Sequence, residues 1–200
     1  MNYPLWKRVL DIVGSIFGLI FLVPLVPFIF LAIKIDSVGP IIVALDRISG
    51  GKKIKVYKFR SMIYGAHELK EKLMHLNERS DGPFFKMKND PRITRIGKIL
   101  RKFRLDEFPQ LINVLKGELS LVGPRPHEPE EVVHYPEEYK FLTLAKAGVT
   151  GFSQVNGASS LPYLKELELD SFYLKNFSLF LDCKIIGKTV KIIFFDPSAV

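Results

Sequence analysis

The pattern of hydrophobic and polar positions is dominated by one apolar run near the start of the chain. From residue 12 to residue 33 no side chain is charged. As a straight helix the run would be about 33 Å long, enough to cross a hydrocarbon core of about 30 Å. Tyr3, Trp6, Lys7 and Arg8 precede it and form an aromatic and basic collar typical of the headgroup level.

Two features of the run argue against a simple membrane span. Pro24 and Pro27 lie near its middle, and proline removes a backbone donor and disfavours a straight helix. Basic residues flank both ends of the run. The tendency of basic residues to lie on the cytoplasmic side of a membrane therefore does not tell which end is cytoplasmic. The residues leave two alternatives open: a helix that spans the membrane, and one that bends and returns to the same face.

The rest of the chain shows shorter periodic segments. Apolar stretches at 41–45 and 54–57 around Ser49-Gly50-Gly51 predict a β-hairpin. Helical spacing is found over residues 66–79, 93–104, 108–115, 129–146, 161–174 and 179–195, with a strand predicted at 118–122 and a glycine-punctuated loop at 148–157. We therefore predict an α+β, mostly helical, small globular domain with short β segments and amphipathic helices suited to a membrane interface.

The charge is unevenly divided between the two halves of the chain. Residues 1–105 carry 20 basic and 8 acidic side chains, and residues 106–200 carry 9 and 13. A basic half indicates an anionic partner: a membrane surface, a nucleic acid or a phosphorylated small molecule. The basic helix at 93–104 lacks the interleaved aromatic residues and recognition motifs of nucleic-acid binders, so we expect no nucleic acid. The single cysteine, Cys183, excludes an intramolecular disulfide and a cysteine-based zinc site.

Asp106 and Glu107 are the strongest candidates for chemistry. Acids at a helix start cap free N–H groups and complement the helix dipole, which is a purely structural interpretation. Adjacent carboxylates beside a positive cluster can also divide catalytic work, one attacking a phosphorus centre or binding a divalent cation while the other assists. Both interpretations are open on the residues alone.

Several residues could bind phosphate near this pair. Arg125 stands between Pro124 and Pro126, which restrict the backbone and define where the guanidinium lies. Arginine suits bidentate phosphate binding, and Arg101, Lys58 and Arg60 are further candidates. Each of these charges alone is also compatible with a solvated surface position.

Five motifs in order resemble one family. They are Lys58-Phe59-Arg60-Ser61-Met62, Asp90-Pro91-Arg92-Ile93-Thr94, Leu105-Asp106-Glu107-Phe108-Pro109-Gln110, Gly123-Pro124-Arg125-Pro126 and Thr150-Gly151-Phe152-Ser153-Gln154-Val155-Asn156-Gly157. Together they resemble the bacterial sugar transferase family, the monotopic polyprenyl-phosphate phosphoglycosyl transferases, over nearly the whole chain. The length resembles the minimal members of that family.

The resemblance implies an activity and roles for residues. Family members transfer sugar-1-phosphate from a UDP-sugar to polyprenyl (undecaprenyl) phosphate and release UMP, through a covalent aspartyl-phosphosugar. It implies Asp106 as nucleophile and Mg²⁺ ligand, and Glu107 as its partner. The implied substrate-binding set is Lys58, Arg60, Arg101, Pro124, Arg125, Pro126 and Gln154.

The resemblance also implies a location. Residues 1–36 would form a re-entrant membrane helix bent at Pro24, and residues 37–200 a cytosolic transferase domain. The protein would lie on the cytoplasmic face of the bacterial inner membrane, in contact with anionic lipid. The sugar, the glycan pathway and the oligomeric state, a homodimer included, stay open.

The sequence departs from the family pattern at three positions. Val23 replaces a frequent serine before the bend, Phe152 a frequent tryptophan, and Ala158 a frequent arginine, which puts sugar specificity in doubt. The alternative function is that of a membrane-anchored basic binding or scaffold protein without catalysis. Asp106 and Glu107 would then only cap the start of a helix.

Overall fold

The structure, a computed structural model, describes residues 3–157 and 160–195. Ala158 therefore lies outside the described residues. The α-helices are α1 Leu5–Leu22, α2 Val26–Asp36, α3 Ala66–Leu73, α4 Arg95–Lys102, α5 Gln110–Lys116, α6 Pro129–Val132, α7 Phe152–Val155, α8 Tyr163–Asn176 and α9 Leu179–Phe195. The strands are β1 Ile42–Ser49, β2 Lys52–Phe59, β3 Ser120–Val122 and β4 Gly148–Thr150, and 3₁₀ turns occupy Val23–Leu25, Met74–Leu76, Leu105–Glu107 and Glu137–Leu144. The predicted fold class, mostly helical with short strands, is confirmed.

Helices α1 and α2 form one long apolar segment with a break at Pro24. A 3₁₀ turn at Val23–Leu25 separates them, as expected where proline removes a backbone donor. Among the described residues, Leu5–Asp36 is the one segment long and apolar enough to cross a membrane, judged by length and composition.

Helix α1 is amphipathic, with its polar side towards the protein and its apolar side facing outwards. This is the reverse of a surface helix in a water-soluble protein. Lys7, Asp11 and Ser15 repeat at every fourth position, and all three are buried against the domain. The opposite side exposes large apolar residues, namely Val9, Val13, Ile16, Phe17, Ile20 and Phe21. Polar side chains thus bind the protein, and the apolar face is left for a lipid environment.

Buried polar contacts hold this stripe to the C-terminal helices. Lys7 Nζ lies 2.5 Å from Asp182 Oδ2 and 2.9 Å from the Tyr173 hydroxyl. The Tyr173 hydroxyl in turn donates to Asp182 Oδ1 at 2.7 Å. Lys7 of the predicted collar is therefore turned into the protein. It is part of a closed ion-pair network.

Asp11 and Arg8 attach α1 to the centre of the domain. Asp11 Oδ1 accepts hydrogen bonds from the backbone N–H of Leu121 at 2.7 Å and from Ser120 Oγ at 3.0 Å. The Arg8 guanidinium donates to two carbonyls in the last turn of α5, where a cation also complements the helix dipole. α1 is thereby tied to β3 and α5.

Helix α2, which follows α1 along the apolar segment, packs on the domain through apolar side chains. Leu22, Ile29 and Ile33 share a buried cluster with Phe59 of β2 and Leu100 of α4. The domain consequently lies along the helical segment from Lys7 to Ile33 and is not attached at one end only.

The predicted hairpin is confirmed and is longer than its apolar core suggested. β1 and β2 pair antiparallel from Ile42↔Phe59 to Ser49↔Lys52. Gly50 and Gly51 have φ of 60° and 73°, the left-handed pair that a tight hairpin turn requires.

The predicted loop at 148–157 is wrong. Gly148–Thr150 is strand β4, which pairs parallel with β3, and Phe152–Val155 is helix α7. A three-residue strand is too short to show periodicity, and its partner lies almost thirty residues away in sequence. Local patterning therefore could not reveal it.

Several predicted helices are shorter in the structure. α3 ends at Leu73 and continues as a 3₁₀ turn, and the helix predicted over 129–146 is one turn at Pro129–Val132 followed by a 3₁₀ stretch after Pro136. The predicted helix end at Gly117 is confirmed, with φ of 81°. The helix over 179–195 has the predicted bounds.

Gly97 lets α4 approach the backbone after β2. A Cβ at this position would lie 1.9 Å from the carbonyl oxygen of Ser61, a distance that no side chain tolerates. Thr94 Oγ1 caps the helix by accepting from the Gly97 N–H at 2.9 Å. These two contacts fix α4 beside β2.

We predict that Lys7→Met destabilises the protein. The variant keeps the aliphatic length but leaves Asp182 buried without its cation, a change that costs about 3 kcal/mol or more. The thermal midpoint of the detergent-solubilised protein should fall by several degrees. Lys34→Met, at an exposed position of α2, is the control. Equal midpoints for the two variants would contradict the role assigned to the buried pair.

Candidate active site

The Asp106–Glu107 pair occupies a sharp turn between α4 and α5. α4 ends at Lys102, and Arg104 takes the left-handed conformation with φ of 52°. Among the described residues it is the one non-glycine residue with positive φ, a conformation that costs about 1–2 kcal/mol. The 3₁₀ turn Leu105–Glu107 follows at once. Strain is thus placed directly before the two carboxylates.

Asp106 is buried while Glu107 is held by a lysine. Asp106 is 6% exposed. Burial raises the pKa of Asp106 above its usual range, with Lys58 opposing the shift and Glu107 adding to it. Lys58 Nζ donates to Glu107 Oε1 at 2.6 Å. Burial disfavours the Glu107 charge, but Lys58 outweighs it and lowers the pKa of Glu107. The two acids therefore differ in character although they are adjacent.

The pair opens into a large basic cleft. The cleft has a volume of about 860 Å³ and is lined by thirteen lysine and arginine side chains against six aspartates and glutamates. Its walls come from β2, α4, the 3₁₀ turn of the dyad, the segment 78–93 and the Gly-Pro-Arg-Pro corner. A cleft lined by one sign of charge concentrates anions.

Most of the sequence-predicted site residues line this cleft. They are Lys58, Arg60, Arg101, Asp106, Glu107, Arg125, Pro126 and Gln154. Arg101 donates through Nε to Ser61 Oγ at 2.9 Å, and Gln154 Nε2 makes a long 3.4 Å hydrogen bond to the Val149 carbonyl. Pro124 lines a separate, water-sized cavity beside Arg125.

Arg60 is committed to a different task. Its guanidinium donates to the carbonyls of Ile33 at 3.3 Å and Ser37 at 2.6 Å, at the C-terminal end of α2. The residue is 3% exposed. Arg60 therefore joins the hairpin to the membrane-associated segment, and its side-chain contacts are with that segment and not with the dyad.

The Gly-Pro-Arg-Pro corner is held by the short parallel sheet. The Gly123 N–H donates to the Thr150 carbonyl, and the Gly148 N–H to the Pro124 carbonyl. The Arg125 N–H donates to Asp170 Oδ2 at 3.0 Å, and burial raises the pKa of Asp170 to about 6. The backbone of Arg125 is thus anchored from β4 and from α8.

Glu166 is a buried anionic centre behind Arg125. It is 1% exposed, and neither carboxylate oxygen has a hydrogen-bond partner among the described residues. Two guanidinium groups and an imidazole surround it: Arg125 Nη1 at 3.5 Å, Arg79 Nη1 at 3.9 Å and His127 Nε2 at 3.8 Å. Burial disfavours the Arg125 charge, but Glu166 raises the pKa of Arg125 above its usual range. The Glu166 carboxylate therefore offsets the cost of burying the guanidinium at the cleft wall.

His127 completes the wall between Glu166 and the cleft. Its ring stacks on Phe84 with centroids 4.5 Å apart and an interplanar angle of 8°, and its Nδ1 lies 3.5 Å from Glu131 Oε2. Burial opposes ionisation of Glu131, but the contact with His127 lowers the pKa of Glu131 to about 2. His127 thus links the aromatic cluster around Phe84 to the carboxylates.

Sequence reasoning missed Glu166 and Asp170. Both lie on the buried side of α8 with Tyr163, Leu167 and Tyr173. Two acids on the apolar side of a helix were a detectable signal, because an acid there needs a buried partner. Arg125 and Arg79, which lie closest to Glu166, come from distant parts of the chain, so the sequence does not show that they are its partners.

Comparison with known proteins shows the family to which the chain is similar. The family model described as bacterial sugar transferase matches residues 2–196. The undecaprenyl-phosphate galactose phosphotransferase of Salmonella typhimurium is 41% identical over 191 residues, which are 94% of this chain and 40% of that protein. The undecaprenyl-phosphate glucose phosphotransferase of Komagataeibacter xylinus is 37% identical over 92% of this chain and 35% of its own length.

A shorter relative matches over most of its own length. The exopolysaccharide production protein ExoY of Rhizobium meliloti is 34% identical over 188 residues, which are 92% of this chain and 83% of that protein. The chain spans about two fifths of the length of the first two relatives. On the match of the family model along almost all of its residues, the chain belongs to the bacterial sugar transferase family.

Proposed function

We propose that the protein transfers sugar-1-phosphate from a UDP-sugar to a polyprenyl phosphate, giving a polyprenyl-diphosphate-sugar and UMP. The observation that carries the proposal is a buried aspartate beside an ion-paired glutamate at the floor of a cleft lined by arginines. The names of the relatives, sugar phosphotransferases that use undecaprenyl phosphate, support this substrate class.

In the first step an Asp106 carboxylate oxygen attacks the phosphorus that bears the sugar. The bond from that phosphorus to the bridging oxygen breaks, and UMP leaves with the oxygen and its electron pair. A sugar-phosphoryl group remains on Asp106. Arg101 and Arg125 line the same cleft, where guanidinium groups stabilise charge that develops on phosphate oxygens.

In the second step a phosphate oxygen of the polyprenyl phosphate attacks the same phosphorus. The bond to the Asp106 oxygen breaks and the carboxylate is restored, so no oxidant, reductant or net proton is required. Glu107 stays ionised through its pair with Lys58 and keeps that lysine beside the reacting phosphate. Two displacements at one phosphorus predict ping-pong kinetics.

Magnesium fits the donor set of this site. Among the described residues no three His, Cys, Asp or Glu side chains form a metal cage, and Mg²⁺ is usually held by one or two carboxylates together with substrate phosphates. Asp106 would hold the ion, and burial of this carboxylate makes a nearby cation favourable. When bound, Mg²⁺ would neutralise charge on the diphosphate.

We further propose that α1 and α2 form a re-entrant helix and that the domain lies on the cytoplasmic face. The contact of the domain along the segment from Lys7 to Ile33 supports this topology. If the segment crossed the bilayer, the charged domain beside it would enter the hydrocarbon core, where ionisable groups are costly. A segment that enters and returns keeps the cleft in water and its mouth near the lipid.

We expect Asp106→Asn to abolish UMP release. The amide cannot act as the attacking carboxylate, so the rate should fall by more than about 10³-fold. UMP is measured with purified protein, polyprenyl phosphate, Mg²⁺ and a panel of UDP-sugars. Asp46→Asn, on β1 outside the cleft, is the matched control. A wild-type protein that releases no UMP with any donor would favour the non-catalytic scaffold instead.

Glu166→Gln should lower kcat/KM by about tenfold or more, the equivalent of about 1.4 kcal/mol. The amide has a similar shape but removes the charge beside Arg125, so transfer should fall by more than any loss of stability explains. Glu168→Gln is the control, because Glu168 is exposed on the same helix. An unchanged rate, or a loss fully explained by a lower thermal midpoint, would contradict the role of Glu166.

The topology is tested by cysteine labelling from the two sides of the membrane. After Cys183→Ser, single cysteines are placed at Leu5 and Val38, which are 79% and 88% exposed at the two ends of the helical segment. In intact spheroplasts an impermeant maleimide should label neither, and after permeabilisation it should label both. Labelling of one position from outside would establish a spanning helix.

A further inference from the structure

Helix α4 carries two lysines whose charge has no partner. Lys98 and Lys102 line the same cleft as Asp106, and among the described residues neither has a carboxylate within ion-pair distance. They are one helical turn apart, so both ammonium groups lie along one side of α4. Lys102 Nζ lies 5.7 Å from the centre of the Phe103 ring, a contact that leaves its charge available to an anion.

Three of the six acidic side chains in the cleft already pair with other lysines or arginines. Asp90 pairs with Arg92, Glu107 with Lys58, and Glu128 with Lys70. These pairs balance the charge near the hairpin and the segment 78–93, but not along α4. The side of the cleft that α4 forms is therefore where a further anion gains most from the local charge.

The position of α4 beside the membrane-associated segment indicates which anion could bind there. Its buried side, with Ile96 and Leu100, packs on Ile29 and Ile33 of α2, and the Ile96 N–H donates to Asp36 at 2.9 Å. α4 thus stands between the membrane-associated segment and the cleft. Ile99 of α4 and Phe103, which directly follows the helix, are 52% and 37% exposed, so an apolar surface adjoins the two lysines.

The proposed reaction requires two phosphate groups to reach Asp106 from different sources. The UDP-sugar comes from water, and the polyprenyl phosphate comes from the bilayer with a long apolar chain attached. Arg125 and His127 form the wall nearest α8 and the aromatic cluster around Phe84. Lys98 and Lys102 line the cleft from α4, whose buried side packs on α2. A phosphomonoester at the end of a membrane-embedded chain therefore meets the lysines first.

We propose that Lys98 and Lys102 form the binding site for the phosphate of the polyprenyl acceptor, with Ile99 and Phe103 as the apolar contact for the first units of its chain. This assignment rests on the proposed function and adds the location of the second substrate. Anionic bilayer lipids offer similar phosphate chemistry, and the experiment below separates the two sources.

The test uses the two half-reactions of the full-length protein in neutral detergent micelles. For the variant Lys98→Gln with Lys102→Gln, we expect the KM for polyprenyl phosphate to rise by about tenfold or more. The single burst of UMP formed without acceptor should keep its rate and amplitude, since the donor does not use these lysines. Lys72→Gln with Lys140→Gln removes the same charge outside the cleft and should change neither quantity.

Each other outcome has a defined meaning. A slower UMP burst in the α4 variant would assign the lysines to the donor and overturn the proposal. An unchanged acceptor KM in micelles, with weaker flotation on phosphatidylglycerol vesicles, would show general attraction to anionic lipid and also overturn it. Absence of a burst from the wild-type protein would instead refute the proposed function itself.

Discussion

The structure depends on a polar attachment between a lipid-facing helix and a water-soluble domain. Apolar contacts alone would not hold α1 to the domain, because lipid is as apolar as the side chains of the helix and would solvate them equally well. The helix therefore turns Lys7, Asp11 and Ser15 inwards. The closed network of Lys7, Tyr173 and Asp182 leaves no buried charge uncompensated.

The same attachment positions the site. Asp11 holds β3 through the Leu121 N–H, and the Tyr173 hydroxyl donates to the Val122 carbonyl. β3 then runs directly into the corner that carries Arg125. At the other end of the segment, Arg60 holds α2 from the hairpin that carries Lys58. The membrane-associated segment is thus joined by direct hydrogen bonds to the elements that carry Lys58 and Arg125.

Charge divides the cleft into regions with different tasks. Glu107 is ionised by Lys58 while its neighbour Asp106 is buried, so two identical functional groups acquire different pKa values. At one wall the Glu166 carboxylate lies 3.5 Å from Arg125 and offsets the cost of burying that guanidinium. Along α4, Lys98 and Lys102 have no carboxylate within ion-pair distance in the part of the chain that the structure describes. A two-step transfer that receives one substrate from water and the other from lipid is consistent with this division.

The sequence by itself determined the apolar segment broken at Pro24, the hairpin around Gly50 and Gly51, the helix end at Gly117 and the family, because each depends on neighbouring residues or on ordered motifs. The tertiary structure alone decided the inward turn of Lys7, the β3–β4 pairing, the use of Arg60 on α2 and the placement of Glu166 behind Arg125. These features join residues that are tens of positions apart or more. The free energy of a buried charge depends on the partner that folding brings to it, and no local pattern records that partner.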